Sequence, residues 1–342
     1  HAWISRAEHS VRRMKHLSIQ AFIIVSLLNG CAMHHPTPPN SRPNVDVELL
    51  DTPFFPQQQY QCGPAALATV LQASGIATHP NELAPLLYLP GRKGSLQLEI
   101  IASIRNNQRI PYIIKPEIGA IAAELQAGRP VLVLQNLGLK IFPAYHYAVV
   151  VGIQTNGKIV LRSGTTKRLV ISLDDFLSSW EKAERWAIIV LRPEELPADV
   201  NVEKHLAILA GIEATGNVML AERGYRTLLK KYPEQPTALF GLANTLFVQK
   251  EFLAAARIYR SLLKSDPTHA AAVNNLAETL ASLHCFSQAL SLLDTFLLQH
   301  NPPSAITAIL ARTRTEVDKR MQGEKESSTA CQKMSFFYKN IR

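Results

Sequence analysis

Leu242-Ala243 recurs as Leu276-Ala277, and Leu246 recurs as Leu280, each 34 residues later. Ala221, Ala255 and Ala289 keep the same spacing, as do Tyr225, Tyr259 and Leu293, and Pro233, Pro267 and Asn301-Pro302 close successive units. A fixed period of this length marks a stack of helix pairs, none of which can bury its apolar face alone. The alanines let paired helices approach closely, and the tyrosines fill the space between units. The stack spans 202–304 in three units, about the minimum for such an array, and 305–342 reads as a C-terminal helix and polar tail. Everything before it must fold differently, because the period does not extend upstream.

The repeat resembles the tetratricopeptide (TPR) repeats. In that family the first helices of the units line a concave groove, and the 34-residue register puts Phe240, Asn244, Phe247, Asn274 and Glu278 on that face. Two aromatic rings beside amides suit an extended peptide or a protein partner, the rings taking apolar side chains and the amides pairing with backbone. The alternative is that Phe240 and Phe247 cover the neighbouring domain.

Residues 46–193 mix strand and helix signals. The runs Tyr112–Ile114, Val131–Gln135, His146–Ile153, Lys158–Arg162, Arg168–Ser172 and Trp186–Arg192 are rich in Val and Ile and bounded by Gly, Pro or Asn, which predicts strands. Helical spacing covers Cys62–Ser74, Ser95–Asn106 and Ile118–Ala127. An early helix followed by a mostly antiparallel sheet is an α+β layout. The β signal stops at Arg192-Pro193, and 194–201 reads as a linker to the all-α half.

Within this domain, Cys62 stands where a Gln-rich loop becomes a helix, in Gln57-Gln58-Gln59-Tyr60-Gln61-Cys62-Gly63-Pro64-Ala65-Ala66. Pro64 occupies the first turn, where no backbone N–H is needed. A thiol at a helix N-terminus feels the positive end of the macrodipole, which favours the nucleophilic thiolate. His146 opens the apolar run His146-Tyr147-Ala148-Val149-Val150-Val151-Gly152, so its imidazole can project from a sheet edge toward the cysteine. A thiol and an imidazole held on a helix end and a strand are the parts of a cysteine-peptidase ion pair.

These two motifs, in this order and spacing, resemble the papain-like cysteine peptidases that cleave bacteriocin leaders after double glycine, and their free-standing relatives in cell-envelope proteins. The resemblance implies a papain-like α+β domain over 46–193 and peptide-bond cleavage without a cofactor. It also implies an oxyanion donor in a glutamine before the cysteine, for which Gln57 is the candidate and Gln58 and Gln59 compete. The family has an aspartate about sixteen residues after the histidine. This chain has Leu161-Arg162-Ser163-Gly164 there, so Ser163 or a carbonyl orients His146, or a dyad works alone. A catalytically weak or inactive scaffold that binds peptides is the alternative reading.

From Met14, taken as the start, a basic residue, the apolar stretch Ala21–Leu28 and then Leu28-Asn29-Gly30-Cys31 form a secretory signal within 1–30. The four residues ending in Cys31 resemble the lipobox of bacterial lipoproteins. This implies acylation of Cys31, a tether over 31–45 and, with Ala32 following, an outer-membrane address facing the periplasm. Of the net charge of +9, three units sit in the first thirty residues, and elsewhere bases alternate with acids. No arginine stripe interleaves with aromatics, which excludes nucleic acid as a partner. The four cysteines contain no CxxC pair, and the histidines, among them His79, His205, His269, His284 and His300, show no ligand spacing. No metal site is expected, and Cys285 and Cys331 read as uncommitted thiols.

Overall fold

The computed structural model describes residues 43–57, 62–87, 97–327, 329 and 331–332. The expected signal segment, Cys31, Gln58 and Gln59 lie outside the described residues.

Seven strands form one antiparallel sheet in the order β2-β7-β3-β4-β5-β6, with β1 paired to β4. They are β1 (Val47–Glu48), β2 (Ile110–Ile113), β3 (Val131–Asn136), β4 (Tyr145–Gln154), β5 (Lys158–Ser163), β6 (Thr166–Ser172) and β7 (Ala187–Leu191). β3 and β7 are buried throughout, which is why they read as unbroken apolar runs rather than as alternating ones. Helices α1 (Cys62–Ala73), α2 (Pro80–Leu87) and α3 (Gln97–Asn106) precede most of the sheet; of these, helical spacing predicts α1 and α3 but not α2. Their apolar faces, including Leu67, Leu71, Leu87, Ile100 and Ile104, meet Leu132, Tyr147, Val149 and Val151 in one core.

The other face carries α4 (Ile118–Gln126) and α5 (Leu173–Glu181). α5 starts where β6 ends: the Ser172 hydroxyl caps the Asp175 amide at 3.1 Å, and Asp174 and Asp175 sit favourably in the first turn. Phe176 and Trp180, stacked at 5.5 Å, bury this helix against Val133, Ala148 and Val150 in the second core.

That second core runs on without interruption into the repeats. α6 (Val202–Ala214) and α7 (Val218–Lys231) form the first pair, α8 (Pro236–Val248) and α9 (Phe252–Ser265) the second, and α10 (Ala270–Ser282) and α11 (Phe286–His300) the third, with α12 (Ser304–Gly323) packed on α10 and α11. Leu206, Leu209 and Ile212 of α6 share one apolar cluster with Ile110 and Tyr112 of β2. At Gly224 of α7 an added Cβ would displace the end of the Leu209 side chain and crowd Ile110, so the small residue suits this close approach. Residues 194–201 are bonded to the folded parts: Ala198 donates its amide to buried Glu124 at 2.8 Å, and Lys115 pairs with Asp199 at 2.6 Å.

One expectation is overturned here. Cys285, at the start of α11, and Cys331 are joined as a disulfide with their Cα atoms 5.4 Å apart. α12 and the segment after it lead the chain back to the α10–α11 turn, where Ser327 also donates its amide to the His284 carbonyl at 2.9 Å. Forty-six residues of sequence separation hid a pairing that only this return makes. Reduction is expected to lower stability by about 2 kcal/mol, read as a melting temperature a few degrees lower with dithiothreitol. An unchanged melting temperature in reductant, with both thiols shown to be alkylatable, would contradict a stabilising crosslink.

Candidate active site

Cys62 begins α1, half-buried, and is the one free cysteine among the described residues. The nine residues that follow it are all buried, so the packing of α1 over β4 fixes where the thiol stands. The chain leading to it is stitched across the ends of two strands. Gln57 donates its amide to the Gly164 carbonyl beyond β5 at 3.0 Å, and its Nε2 to the Tyr147 carbonyl of β4 at 3.5 Å. The side chain of Gln57 therefore lies at the rim of the site with its donor end engaged.

His146 is the second residue of β4 and pairs with Gln135 of β3. Its Nε2 lies 2.9 Å from the hydroxyl of Ser163, the last residue of β5. The register that pairs Val149 with Arg162 brings Ser163 beside His146 on the same sheet face. Burial holds the His146 imidazole below its ordinary pKa, favouring the neutral ring. Ser163 is a neutral hydroxyl and does nothing to oppose that shift. Beneath the ring, buried Gln135 donates to the Ser179 hydroxyl of α5 at 2.7 Å, tying the two strands to the helix behind them.

Tyr147, missed from the sequence, belongs to the site as well. Period-two alternation turns it to the α1 face, where its buried ring meets Trp186 edge-on at 5.9 Å. Burial pushes its phenol strongly upward, and negative charge on Cys62 and Glu99 adds to the rise. The thiol and the phenol are thus electrostatic neighbours, one residue along the strand from His146. Adjacent residues on a strand face opposite sides, so the alternation that sets Tyr147 on the α1 face sets His146 on the face of Ser163 and Gln135, and it is Tyr147, not His146, whose electrostatics register Cys62.

Residues 49–188 match the family model described as the peptidase C39-like family, a span that includes Gln57, Cys62, His146 and Ser163. The N-terminal domain is a C39-like peptidase domain. Residues 213–270 match a tetratricopeptide-repeat model, so the second half is a TPR array. Among solved structures, the peptidase domain of Streptococcus ComA, a bi-functional ABC transporter involved in a quorum-sensing pathway, is 22% identical over 41% of this chain and 98% of its own, with a TM-score of 0.34. The TPR2B domain of yeast Sti1 is 18% identical over 34% of this chain and 96% of its own (TM-score 0.32). The Yersinia enterocolitica type III secretion translocator chaperone SycD is 12% identical over 36% and 90% (TM-score 0.33). No curated protein matches the chain.

The repeat residues picked out by register are all half-buried and mostly engaged within the array. Asn244 accepts from Tyr259 at 2.5 Å and from Asn275 at 3.0 Å, linking α8, α9 and α10. Asn274 donates to Glu278 at 3.2 Å and accepts from Thr313 of α12 at 2.7 Å. Phe240 lies 5.1 Å from the His269 ring, and Phe247 lies 5.4 Å from Phe252. The five residues thus fall into two polar clusters and two ring contacts that hold neighbouring helices together. Among the described residues, no group of three or more His, Cys, Asp or Glu side chains could hold a metal ion.

Proposed function

We propose that this chain is a cell-envelope cysteine peptidase in which Cys62 is the nucleophile, His146 the proton carrier and Ser163 the residue that orients it. The observation that carries the reading is the His146–Ser163 contact at Nε2, 2.9 Å long; Nδ1 is the ring nitrogen we assign to proton exchange with the thiol. The thiol proton passes to His146, and the sulfur attacks the carbonyl carbon of a peptide bond. The oxyanion takes hydrogen bonds from the Cys62 amide and from the Gln57 side chain, which must turn from the Tyr147 carbonyl to reach it. Collapse breaks the C–N bond, His146 protonates the departing amine, and a thioester remains. Water then attacks with His146 as base, releasing the acid and regenerating the thiol.

The location reading rests on the Cys31 motif, with acylation, a tether over 31–45 and an outer-membrane address. The Cys285–Cys331 disulfide supports it, because such bonds persist in oxidising compartments. The repeats recruit a protein substrate or partner, with Phe240, Asn244, Phe247, Asn274 and Glu278 as the candidate contacts once their internal bonds rearrange. A second reading, a scaffold with little or no turnover, is favoured by one observation: His146 has a neutral partner and a lowered pKa.

Thiol labelling decides between them. If Cys62 is activated, iodoacetamide at pH 7 alkylates it faster than a cysteine in an unstructured peptide, and His146→Ala slows the reaction about tenfold. A rate equal to the peptide's, indifferent to His146, sinks the peptidase reading. Capture of a bound protein by Cys62→Ala would then identify the substrate.

A further inference from the structure

The β3–β4 connection ends at the active site, and its chemistry is unusual for an exposed loop. Leu137, Leu139, Ile141, Phe142 and Tyr145 are each at least 60% exposed. Of the nine residues 137–145, all but Gly138 are exposed, so the loop stands out from the surface as a convex tip. It is also held in shape. The buried Asn136 carboxamide oxygen accepts from the Gly138 amide at 3.0 Å and the Ala144 amide at 2.9 Å, and the Leu137 amide reaches the Ala144 carbonyl at 2.9 Å. A Cβ at Gly138 would collide with the Phe142 carbonyl oxygen, so only glycine closes the loop this tightly. Lys182 braces it from α5, its Nζ 2.9 Å from the Gly138 carbonyl. The fold thus fixes an apolar tip in water, where a loop ordinarily carries polar residues.

We propose that this loop is a membrane-inserting tip that seats the active-site end of the domain on a bilayer carrying anionic lipid. A peptide partner is bound where walls enclose its side chains, whereas these five side chains are themselves at least 60% exposed on a tight loop and fit a phase that closes around them. The charge agrees. Lys140 lies at the tip, and no acidic residue occurs from Asn136 to His146; at the base Lys182 and Arg185 stand beside Glu181 and Glu184, so the excess positive charge is that of Lys140, at the end that would meet anionic headgroups. Tyr145 takes the interfacial position that suits an amphipathic ring. Among the described residues no helix is long and apolar enough to cross a membrane, so the contact is peripheral.

Insertion does not require acylation of Cys31. Its consequence for the enzyme, that substrates are peptide segments lying close to the membrane, rests on the peptidase reading above.

The test uses the full chain with an N-terminal histidine tag, brought to vesicles by nickel-chelating lipid so that lipidation plays no part. With Cys31→Ser and Cys62→Ala, Phe142→Cys offers one reactive thiol, the disulfide being intact, and it is labelled with the polarity-sensitive fluorophore NBD. On vesicles containing phosphatidylglycerol the emission is expected to shift to the blue, rise several-fold and be quenched by spin-labelled lipid. The same label at Val248→Cys, exposed at the end of α8, is expected to stay unchanged. An unmoved Phe142 probe on vesicle-tethered protein overturns the proposal. So does a probe that shifts only when an apolar peptide is added, which would make the loop a protein-binding surface instead.

Discussion

Ser163→Asp is expected to accelerate alkylation of Cys62 at pH 6 by about ten- to a hundredfold. In the wild-type protein the hydroxyl of Ser163 fixes the ring of His146 but offers no charge, and burial depresses the imidazole pKa. On the peptidase reading proposed above, a neutral imidazole gives the thiol no cationic partner. A carboxylate within hydrogen-bonding distance of an imidazole raises its pKa by roughly 1–3 units. Each unit makes the ion pair ten times more populated for as long as it remains the minority state. The gain is therefore expected to be larger at pH 6 than at pH 9, where hydroxide replaces the imidazole as the base. Ser163→Asn is the control for shape, since it keeps a polar side chain without charge and should bring no gain. Equal rates for the two variants, or no acceleration by aspartate in a protein of unchanged circular dichroism, would show that the charge on His146 does not limit Cys62.

What the sequence disclosed depended on whether the physics was local. Val131–Gln135 and the run from His146 to Ile153 are strands because their side chains are apolar and β-branched, and their pairing with each other needed no further information. The start of α1 was legible for the same reason, since Pro64 and the alanines after it permit little else. β1 is two residues long and forms only because β4 is already there to receive it. α2 carries Pro85 inside an eight-residue helix, and proline obscured the pattern. The missed α5 is more instructive. Ser172 followed by Leu173-Asp174-Asp175 is a helix-start signal, but the strand before it drew the reading to its last residue and no further.

The site divides along the same line. Ser163 could be put forward because the family resemblance implies an orienting residue about sixteen positions after His146, and it does contact the imidazole. Gln135, Ser179 and Tyr147 could not, because each enters through a cross-strand, helix-to-sheet or opposite-face relation that spacing does not encode. In the repeats, the 34-residue period gave the helices. Whether Asn244 and Asn274 face a ligand or each other's neighbours depends on the angle between successive units, and in this structure they bond within the array.

Lowering the pH from 7 to 4 is expected to remove about 3 kcal/mol of stability through His205 alone. This histidine lies on α6, fully buried where the first repeat docks on the sheet, and neither ring nitrogen has a hydrogen-bond partner. Its nearest aromatic neighbour is Tyr112 of β2, with ring centroids 5.9 Å apart. Charged groups near this joint include Lys204 on α6, Lys115, Glu124 on α4 and Asp199, which line a pocket beside Tyr112, and Arg105, which packs near Gly211 of α6. None of them compensates the ring, and burial alone depresses its pKa to about 4. In the unfolded chain the ring titrates near 6.5. Between those values the unfolded state binds the proton and the folded state does not, so stability is complete above about pH 6.5 and declines toward pH 4. Roughly 2.5 units at 1.36 kcal/mol each give the magnitude. His205→Leu removes the titrating group while keeping the site apolar, so the difference in unfolding free energy between variant and wild type should grow by about 3 kcal/mol as the pH falls from 7 to 4. Other acid-titrating groups, His146 among them, are common to both proteins and cancel in that difference. Because α6 carries the contacts between repeats and sheet, amide exchange in α6 and β2 should quicken before exchange in β3 and β4. A difference that stays constant across this pH range would mean that the ring finds a proton acceptor in the folded protein.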